Sequence, residues 1–237
     1  MNLDVIYNQD CLEGMKSIPD ESIDLIVTDP PYRTTRFGCS GFFTGYWTNE
    51  ETKKGRIFKH NDIEIEDYLE EFYRILKSPS HCYIMCNNLN LPHFFDVISK
   101  SKFNFIKLIV WDKKTRIPGR YYLGQVEHIF FLRKGGEMKI NNCATSDLLS
   151  FPNIKDKNPI SGQNIHDSQK PIALFQTMIE NSSQEGGVVL DPFMGSGTCA
   201  IACMRANRHY LGFELDKEYY DLINERIRIE QSQLKLF

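Results

Sequence analysis

The stretch that decides the fold is GGVVLDPFMGSGTCAIACMRANRHYLGFELD, residues 186–216. Its branched apolar residues predict a buried strand that ends at Asp191, with glycines following at positions 195 and 197. A helical pattern starts by Thr198, and HYLGFE (209–214) predicts the next strand. A strand, a glycine turn, a helix and a strand in this order predict a parallel α/β sheet with a ligand site at the strand ends.

The rest of the chain continues the same alternation of short apolar strands and amphipathic helices. The order predicts one α/β domain over residues 1–237, a doubly wound and mostly parallel sheet with helices on both faces. Further strands are predicted at 3–7, 23–28, 81–86, 105–111, 126–132 and 187–191. Helices are predicted from Cys11, over 63–77, around 94–98, over 171–180 and 198–206, and from Lys217.

Two stretches lack this alternation. Residues 33–60 are too long for a plain connection and predict a lid-like loop. Residues 134–166 are rich in Asn, Asp, Ser, Lys and Pro and show little periodicity, which indicates an insertion.

Composition and charge narrow the class of protein. Hydrophobic residues make up 41% of the 237 residues and charged residues 25%, which is typical of a globular protein. No apolar run is long enough to span a bilayer, the first residues lack a signal pattern, and seven scattered cysteines without a CxxC pair indicate reduced thiols. We therefore expect a cytoplasmic protein without a metal site.

The net charge of −3 is unevenly distributed. Residues 33–60 hold six Lys/Arg and two Glu, a net of +4; residues 101–140 hold nine Lys/Arg and three acids, a net of +6. The remainder therefore carries −3 − 10 = −13. Two basic segments on an acidic body are compatible with a phosphate-binding face or with solvated loops, and charge alone does not decide between them.

The glycine turn has more than one interpretation. Gly195, Gly197 and Ala200 satisfy the loose dinucleotide fingerprint, and Glu214 stands near the position of its ribose-binding acid. A nicotinamide-dependent oxidoreductase is therefore one alternative, and a plain tight turn is another. Asp191 also offers a carboxylate for the ammonium of an amino-acid group, which S-adenosylmethionine has.

A second motif, DPPY (29–32), follows the strand IDLIVT (23–28). Alone it is most often a turn, since Asp and Pro both start turns. Together with DPFMGSGT (191–198), SQKP (168–171) and NQDCLEGM (8–15), it resembles the DNA amino-methyltransferases, in the permuted class where the tetrapeptide precedes the glycine loop. This resemblance implies a seven-stranded, Rossmann-like methyltransferase sheet and methyl transfer from S-adenosylmethionine to duplex DNA.

The resemblance also assigns roles to residues. The catalytic set is Asp29, Pro30, Pro31 and Tyr32, in which a carboxylate and a carbonyl accept the target N–H groups and the ring stacks on a flipped base. The implied cofactor-binding residues are Asp10, Cys11, Asp29, Lys170, Asp191, Phe193, Gly195, Ser196, Gly197, Thr198 and Glu214. Asp10 alone predicts a helix cap, and Lys170 is assigned to the methionine carboxylate of the cofactor.

DNA contacts are expected from the basic segments, namely from Arg33, Arg36, Lys113, Lys114, Arg116 and Arg120. Residues 134–166 take the place of the family's target-recognition region, and their shortness favours a short target or a homodimer. Asp at the first position of the tetrapeptide favours adenine-N6, with cytosine-N4 as the alternative. Restriction–modification, solitary regulation and phage modification remain open as biological settings.

Overall fold

The computed structural model describes residues 1–31, 63–117, 122–154 and 169–234. The strands are β1 (Val5–Tyr7), β2 (Ile23–Thr28), β3 (Leu76–Cys86), β4 (Asn104–Ile117), β5 (Gly124–Lys134), β6 (Leu148–Ser150), β7 (Val188–Asp191) and β8 (His209–Phe213). The helices are α1 (Cys11–Met15), α2 (Ile65–Ile75), α3 (Leu91–Lys100), α4 (Ile172–Ser182), α5 (Thr198–Arg205) and α6 (Lys217–Leu234). The predicted lid-like loop, residues 33–60, lies outside these ranges.

The strands form a single mixed sheet in the order β1-β8-β7-β2-β3-β5-β4-β6. Neighbouring strands pair in parallel except where β5 lies between β3 and β4. Among the described strands, β5 alone therefore runs against the others. The predicted mostly parallel α/β sheet is confirmed, and its parallel strands end along one side, which we call the carboxyl edge; the opposite side is the amino edge.

Helices cover both faces of the sheet, as the doubly wound prediction requires. One core combines α1, α2 and α3 with strand residues such as Ile26 and Ile84. The other combines α4, α5 and α6 with the alternate strand residues, such as Val27 and Met85. Successive side chains of a strand point to opposite faces, so strands buried on both sides are apolar at nearly every position.

Within the described ranges the sheet has eight strands, where the resemblance implied seven. The additional strand, β6, lies in the segment predicted to be an unpatterned insertion, and its three residues pair in parallel with β4. Trp111 of β4 donates a hydrogen bond from Nε1 to the carbonyl of Phe151 at 2.8 Å. A strand of three residues is too short to show a periodicity, so only its pairing with β4 defines it.

The described part of the same insertion is fastened to the body of the protein. Asn141 donates hydrogen bonds from Nδ2 to the carbonyls of Glu180 and Ser183, at 2.7 and 2.9 Å, at the end of α4. The carbonyl of Met138 lies 3.2 Å from Nε2 of His81. Residues 135–154 are thus tied to α4 and to the sheet, and the assignment of 134–166 to target recognition stays a prediction.

The cysteines at 82, 86, 199 and 203 are buried in the two cores, as expected for small core residues. In the described ranges, no three side chains of His, Cys, Asp or Glu form a group that could hold a metal ion. None of the helices in those ranges is both long and apolar enough to cross a membrane.

Candidate active site

Four of the predicted site carboxylates lie at the carboxyl edge. Asp10 follows β1, Asp29 follows β2, Asp191 ends β7, and Glu214 follows β8. Because β1, β8, β7 and β2 are consecutive neighbours in the sheet, these carboxylates stand in a row where a crevice above parallel strands is expected.

The acceptor turn, residues 29–31, follows β2 directly. The Lys170 ammonium donates a hydrogen bond to Oδ2 of Asp29 and forms an ion pair with it. Pro30 is buried and Pro31 is half-buried. Prolines fix φ and have no N–H, so the backbone of the turn is rigid. Asp29 is the charged residue among these three. Tyr32 lies outside the described residues.

Lys170 continues into a chain of alternating charges. Its Nζ is 4.0 Å from Oε2 of Glu127 on β5, and Oε1 of Glu127 is 3.1 Å from Nζ of Lys113 on β4. We call Asp29, Lys170, Glu127 and Lys113 the ion-pair chain. The side chains of Lys170 and Lys113 are 9% and 7% exposed, so the attraction within the chain is weakly screened.

The charge of Lys170 depends on these neighbours. Burial by itself lowers the pKa of a lysine, but the carboxylates of Asp29 and Glu127 outweigh burial and raise the pKa of Lys170. Asp191 contributes in the same direction. The sequence assigned Lys170 to the methionine part of a cofactor, whereas its ammonium in this structure lies on Asp29.

The glycine turn, residues 191–198, connects β7 to α5. Gly195 and Gly197 have φ values of 52° and 77°, in the left-handed region that glycine adopts without strain. A Cβ on Gly197 would lie 2.7 Å from Cγ2 of Ile223 on α6. Arg226 of α6 also donates a hydrogen bond to the carbonyl of Ser196, so α6 supports the turn from behind.

Asp191 is buried at the base of the glycine turn. Its Oδ1 accepts hydrogen bonds from Oγ1 of Thr28 at 2.6 Å and from the backbone N–H of Phe193 at 3.0 Å. Burial raises the pKa of the Asp191 carboxyl to about 7, although both hydrogen bonds oppose the shift. A buried carboxylate with a raised pKa favours a cationic ligand, because the ligand would restore the ionised form.

Glu214 links β8 to the glycine turn. Its Oε2 accepts the N–H of Gly195 at 2.7 Å, and its Oε1 accepts the N–H of Asp216 at 2.9 Å. Burial raises the pKa of Glu214 while these two hydrogen bonds lower it, and burial is the larger effect. Each oxygen keeps a further lone pair for a hydroxyl group of a ligand.

Asp10 is the N-cap of α1, as its helix-cap interpretation predicts. Its Oδ1 accepts hydrogen bonds from the N–H groups of Leu12 at 2.8 Å and Glu13 at 3.3 Å. The next residue, Cys11, is buried, and burial followed by the charge of Asp10 raises the pKa of its thiol to about 12. Cys11 is therefore held as an unreactive thiol.

The two turns are connected through the start of α4. Thr198 Oγ1 at the beginning of α5 donates a hydrogen bond to the carbonyl of Lys170 at 3.2 Å and lies 3.1 Å from Oγ of Ser196. The Lys170 backbone thus contacts the glycine turn while its side chain contacts the acceptor turn. Phe193 packs edge-to-face on Tyr68 of α2, with ring centroids 5.4 Å apart.

The predicted DNA-binding residues have different environments. Lys113 is buried and paired with Glu127, so its ammonium does not lie on the surface. Lys114 is exposed and 2.8 Å from Asp112, and Arg116 is also exposed. Three other residues, Arg33, Arg36 and Arg120, lie outside the described ranges.

Thr28, Glu127 and Arg226 contact the site but were not identified from the sequence. Thr28 directly precedes the tetrapeptide, and this position in the sequence could have indicated that its side chain lies near the site. Glu127 is a single acid in the apolar strand sequence VEHIFFL, which marks it as unusual without indicating its partner. Arg226 lies in an amphipathic helix among other charged residues and gives no signal at all.

Comparisons with known proteins identify the family of this chain. The profile of the family N6_N4_Mtase, described as DNA methylase, matches residues 23–225. Type II methyltransferase M.HinfI of Haemophilus influenzae is 30% identical over 95% of this chain and 68% of its own length. Type II methyltransferase M.HpaI of Haemophilus parainfluenzae is 29% identical over 92% of this chain and 72% of its own.

Solved structures show the same fold. M1.HpyAVI in complex with SAM superposes with a TM-score of 0.68 at 23% identity, covering 93% of this chain and 98% of its own. The PvuII DNA methyltransferase, which is cytosine-N4-specific, has a TM-score of 0.68 at 18% identity, covering 90% and 82%. The nicotinamide alternative rested on the glycine turn alone, and the family match replaces it. The chain therefore belongs to the N6/N4 family of DNA methylases.

Proposed function

We propose that this protein transfers a methyl group from S-adenosylmethionine to the exocyclic N6 amino group of a flipped-out adenine in duplex DNA. The observation that carries the proposal is the juxtaposition, at one sheet edge, of a rigid turn bearing Asp29 and a glycine turn based on buried Asp191. The motif order, with the tetrapeptide before the glycine turn, supports the permuted class.

The acceptor turn supplies the chemistry at the target base. An exocyclic amino nitrogen is a poor nucleophile because its lone pair is delocalised into the ring. The carboxylate of Asp29 and the carbonyl of Pro30 each accept one N–H, which draws the nitrogen toward tetrahedral geometry and frees its lone pair. Asp29 also stabilises the positive charge that develops on the nitrogen during transfer.

The glycine turn and its neighbours bind the cofactor. Asp191 accepts the ammonium of the methionine part, which fits its burial and raised pKa. Glu214 accepts the ribose hydroxyls, and Asp10 stands at the adenosine end of the row. S-adenosylmethionine, when bound, supplies an electrophilic methyl group, and the chain contributes by aligning that group with the target nitrogen.

The remaining cofactor residues form the walls of this crevice. They are Cys11, Phe193, Gly195, Ser196, Gly197 and Thr198, with Lys170 between the two turns. A buried thiol, a half-buried ring and close-packed backbone suit the apolar and backbone surfaces that the nucleoside and the methionine chain of the cofactor need.

Duplex DNA has to deliver the base from outside. Chemistry on a duplex base requires that the base leave the stack, and Tyr32 is proposed as the ring on which it then stacks. Lys114 and Arg116 are proposed as phosphate contacts together with Arg33, Arg36 and Arg120. For Lys113 we propose an internal role, described below, because it is buried.

Cytosine-N4 is the second candidate target. The amino groups of adenine and cytosine pose the same chemical problem, and the similar fold of the cytosine-N4-specific PvuII enzyme keeps this candidate open. The Asp at position 29 is the reason for preferring adenine. The relatives named as type II methyltransferases favour restriction–modification as the biological setting.

Product analysis tests the proposal. The protein is incubated with S-adenosylmethionine and unmethylated mixed-sequence duplex DNA, which is digested to nucleosides and examined by chromatography and mass spectrometry. We expect N6-methyldeoxyadenosine. N4-methyldeoxycytidine would replace the base assignment and keep the mechanism, whereas cofactor binding without any methylated nucleoside would contradict the proposed substrate.

A further inference from the structure

The ion-pair chain contains an acceptor that is only partly used. Lys113 lies 3.1 Å from Oε1 of Glu127, whereas Oε2 is buried and has no hydrogen-bond partner among the residues that the structure describes. Nζ of Lys170 is 4.0 Å from this oxygen, which is beyond hydrogen-bond length. A buried carboxylate oxygen without a hydrogen bond is costly, so this oxygen is a favourable acceptor for a further donor.

The ammonium of Lys170 is a donor close to this oxygen. Lys170 is hydrogen-bonded to Oδ2 of Asp29, one of the two oxygens of the carboxylate that the proposed reaction needs as an acceptor for the target amino group. A target N–H would compete with the Lys170 ammonium for this carboxylate, and the ammonium also weakens the carboxylate as an acceptor for a neutral N–H. A shift of the ammonium by about 1 Å would strengthen Asp29 as an acceptor and bring the ammonium to hydrogen-bond distance from Glu127.

We propose that Glu127 is a positioning residue that receives the ammonium of Lys170 when the target amino group engages Asp29. Lys113 holds Glu127 in place for this exchange. The inference rests on the proposed function, because it gives Asp29 the role of acceptor. Glu127 touches neither substrate nor cofactor in this scheme and acts through Lys170 alone.

The electrostatics favour an exchange of partners over the loss of one. The ammonium remains between two carboxylates throughout, so no unpaired charge is left in a weakly screened site. No proton has to be transferred. Glu127 lies on β5 and Lys113 on β4, and β4 also carries the exposed Lys114 and Arg116. The chain thus connects the proposed DNA-facing segment with the acceptor turn.

The substitution Glu127→Gln tests the proposal because it keeps the shape of the side chain and removes its charge. We expect the single-turnover rate of methyl transfer to fall about tenfold or more, since Lys170 then stays on Asp29. Dissociation constants for S-adenosylmethionine and for DNA should change less than about twofold, since Glu127 contacts neither. An unchanged rate would overturn the proposal, and so would a loss confined to cofactor or DNA affinity.

Glu21→Gln is the matched control. Glu21 pairs with the buried Lys134 at 3.0 Å, at the amino edge of the same sheet. This substitution should leave the methyl-transfer rate unchanged. A comparable loss of rate in Glu21→Gln would mean that removing any partner of a buried lysine impairs the enzyme, which contradicts a specific role for Glu127.

A double-substitution cycle separates positioning from general loss of structure. Lys113→Met should lower the transfer rate by a smaller factor, about threefold, and should add nothing when combined with Glu127→Gln, because Lys113 acts through Glu127. Additive losses accompanied by a lower melting temperature would overturn the proposal. If Glu127→Gln does not fold, Lys113→Met alone decides: an unchanged transfer rate contradicts the proposal.

Different results would contradict the proposed methyl transfer and the proposed role of Glu127. Wild-type protein that methylates no DNA, or an Asp29→Ala variant that retains turnover, would remove the proposed function and this inference with it. Inactive Asp29→Ala beside fully active Glu127→Gln would remove the role of Glu127 only.

Discussion

The carboxyl edge and the amino edge of the sheet each hold a buried lysine, and the surroundings of the two lysines differ. Lys134, at the amino edge, donates to the carbonyl of Leu76 at 2.7 Å, pairs with Glu21 at 3.0 Å and lies 4.8 Å from the centre of the Tyr73 ring. Lys170, at the carboxyl edge, pairs with the carboxylate of Asp29 and has a second carboxylate, Glu127, within 4.0 Å.

Other charged groups repeat the contrast. At the amino edge, Arg74 donates to the carbonyls of Ile18 and Met15, both at 2.9 Å, and to Glu71 at 2.8 Å. Asp24 accepts from Lys77 at 2.7 Å and from the backbone N–H of Val188 at 2.8 Å. These groups fix the entry of strands into the sheet.

The difference separates charges that hold the fold from charges that await a ligand. At the amino edge, Lys134, Arg74 and Asp24 each bind a backbone group whose position the fold determines, so these three side chains are engaged in the free protein. At the carboxyl edge, Asp191 has a pKa raised to about 7 by burial, and Oε2 of Glu127 accepts no hydrogen bond from the part of the chain that the structure describes. Buried polar groups that lack a full set of partners are typical of functional sites, because a bound ligand can supply the partner.

The substitution with the largest expected effect is Asp29→Ala. Methyl transfer should fall by at least about 10²–10³-fold, because a preorganised acceptor for the developing charge is lost. Cofactor affinity should remain nearly unchanged when measured by calorimetry. Asp24→Ala, on the same strand at the amino edge, is the control: it should lower stability and leave the transfer rate intact. Equal rates in the two variants would erase the distinction between the edges.

Gly197→Val should have the next largest effect. A side chain there has to adopt a φ of 77° and would meet Ile223 at 2.7 Å, so the glycine turn has to move. We expect cofactor affinity to fall about 100-fold, roughly 2.7 kcal/mol. Gly186→Val is matched, with a φ of 74° and nothing within 4 Å of its Cβ, and should keep cofactor affinity. Normal affinity in Gly197→Val would remove the glycine turn from the cofactor site.

Arg74→Met removes a charged group from the amino edge, where we expect a loss of stability without a loss of activity. Loss of its hydrogen bonds to backbone and carboxylate should lower the free energy of unfolding by about 2 kcal/mol, measured by denaturant titration. The methyl-transfer rate of the folded variant should not change. Arg228→Met is the control. The ion pair of Arg228 with Glu225 is exposed, so this substitution should change the free energy of unfolding by less than about 0.5 kcal/mol. A slower transfer step in folded Arg74→Met would show that the amino edge also affects catalysis.

The smallest expected effect is a pH dependence from Asp191. Its pKa is higher in the folded protein than in the unfolded chain, so its contribution to stability is greatest at acidic pH and declines as pH rises toward about 7. Cofactor affinity should follow the opposite trend, because the ammonium binds the ionised carboxylate. Well below pH 7, affinity should rise up to about tenfold per pH unit, with release of a proton.

Calorimetry at pH 5.5 to 7, in buffers of different ionisation enthalpy, measures that proton release. Asp191→Asn keeps an oxygen for Thr28 and Phe193 and should abolish the pH dependence. A dependence that persists in Asp191→Asn would assign the proton to another group.

Much of the carboxyl edge could be predicted from sequence because each piece is local. The strand that ends at Thr28, the left-handed glycines and the cap at Asp10 depend on residues a few positions apart, and all are present in the structure. The predicted strands at 81–86, 105–111 and 126–132 were also correct in type but too short. Their extensions contain polar residues whose pairing with neighbouring strands overrides the weak local pattern.

Sequence by itself determined the alternation of elements, the family motifs and the position of both turns, since these follow from periodicity and from the backbone freedom of Gly and Pro. Only the tertiary structure decided that Lys170 lies on Asp29, that Lys113 is buried, and that β6 joins the sheet. The physical reason is that a charge finds its partner through space. The sequence does not distinguish the buried Lys113 from the exposed Lys114. The pairing of β4 with β5 places Lys113 against the carboxylate of Glu127.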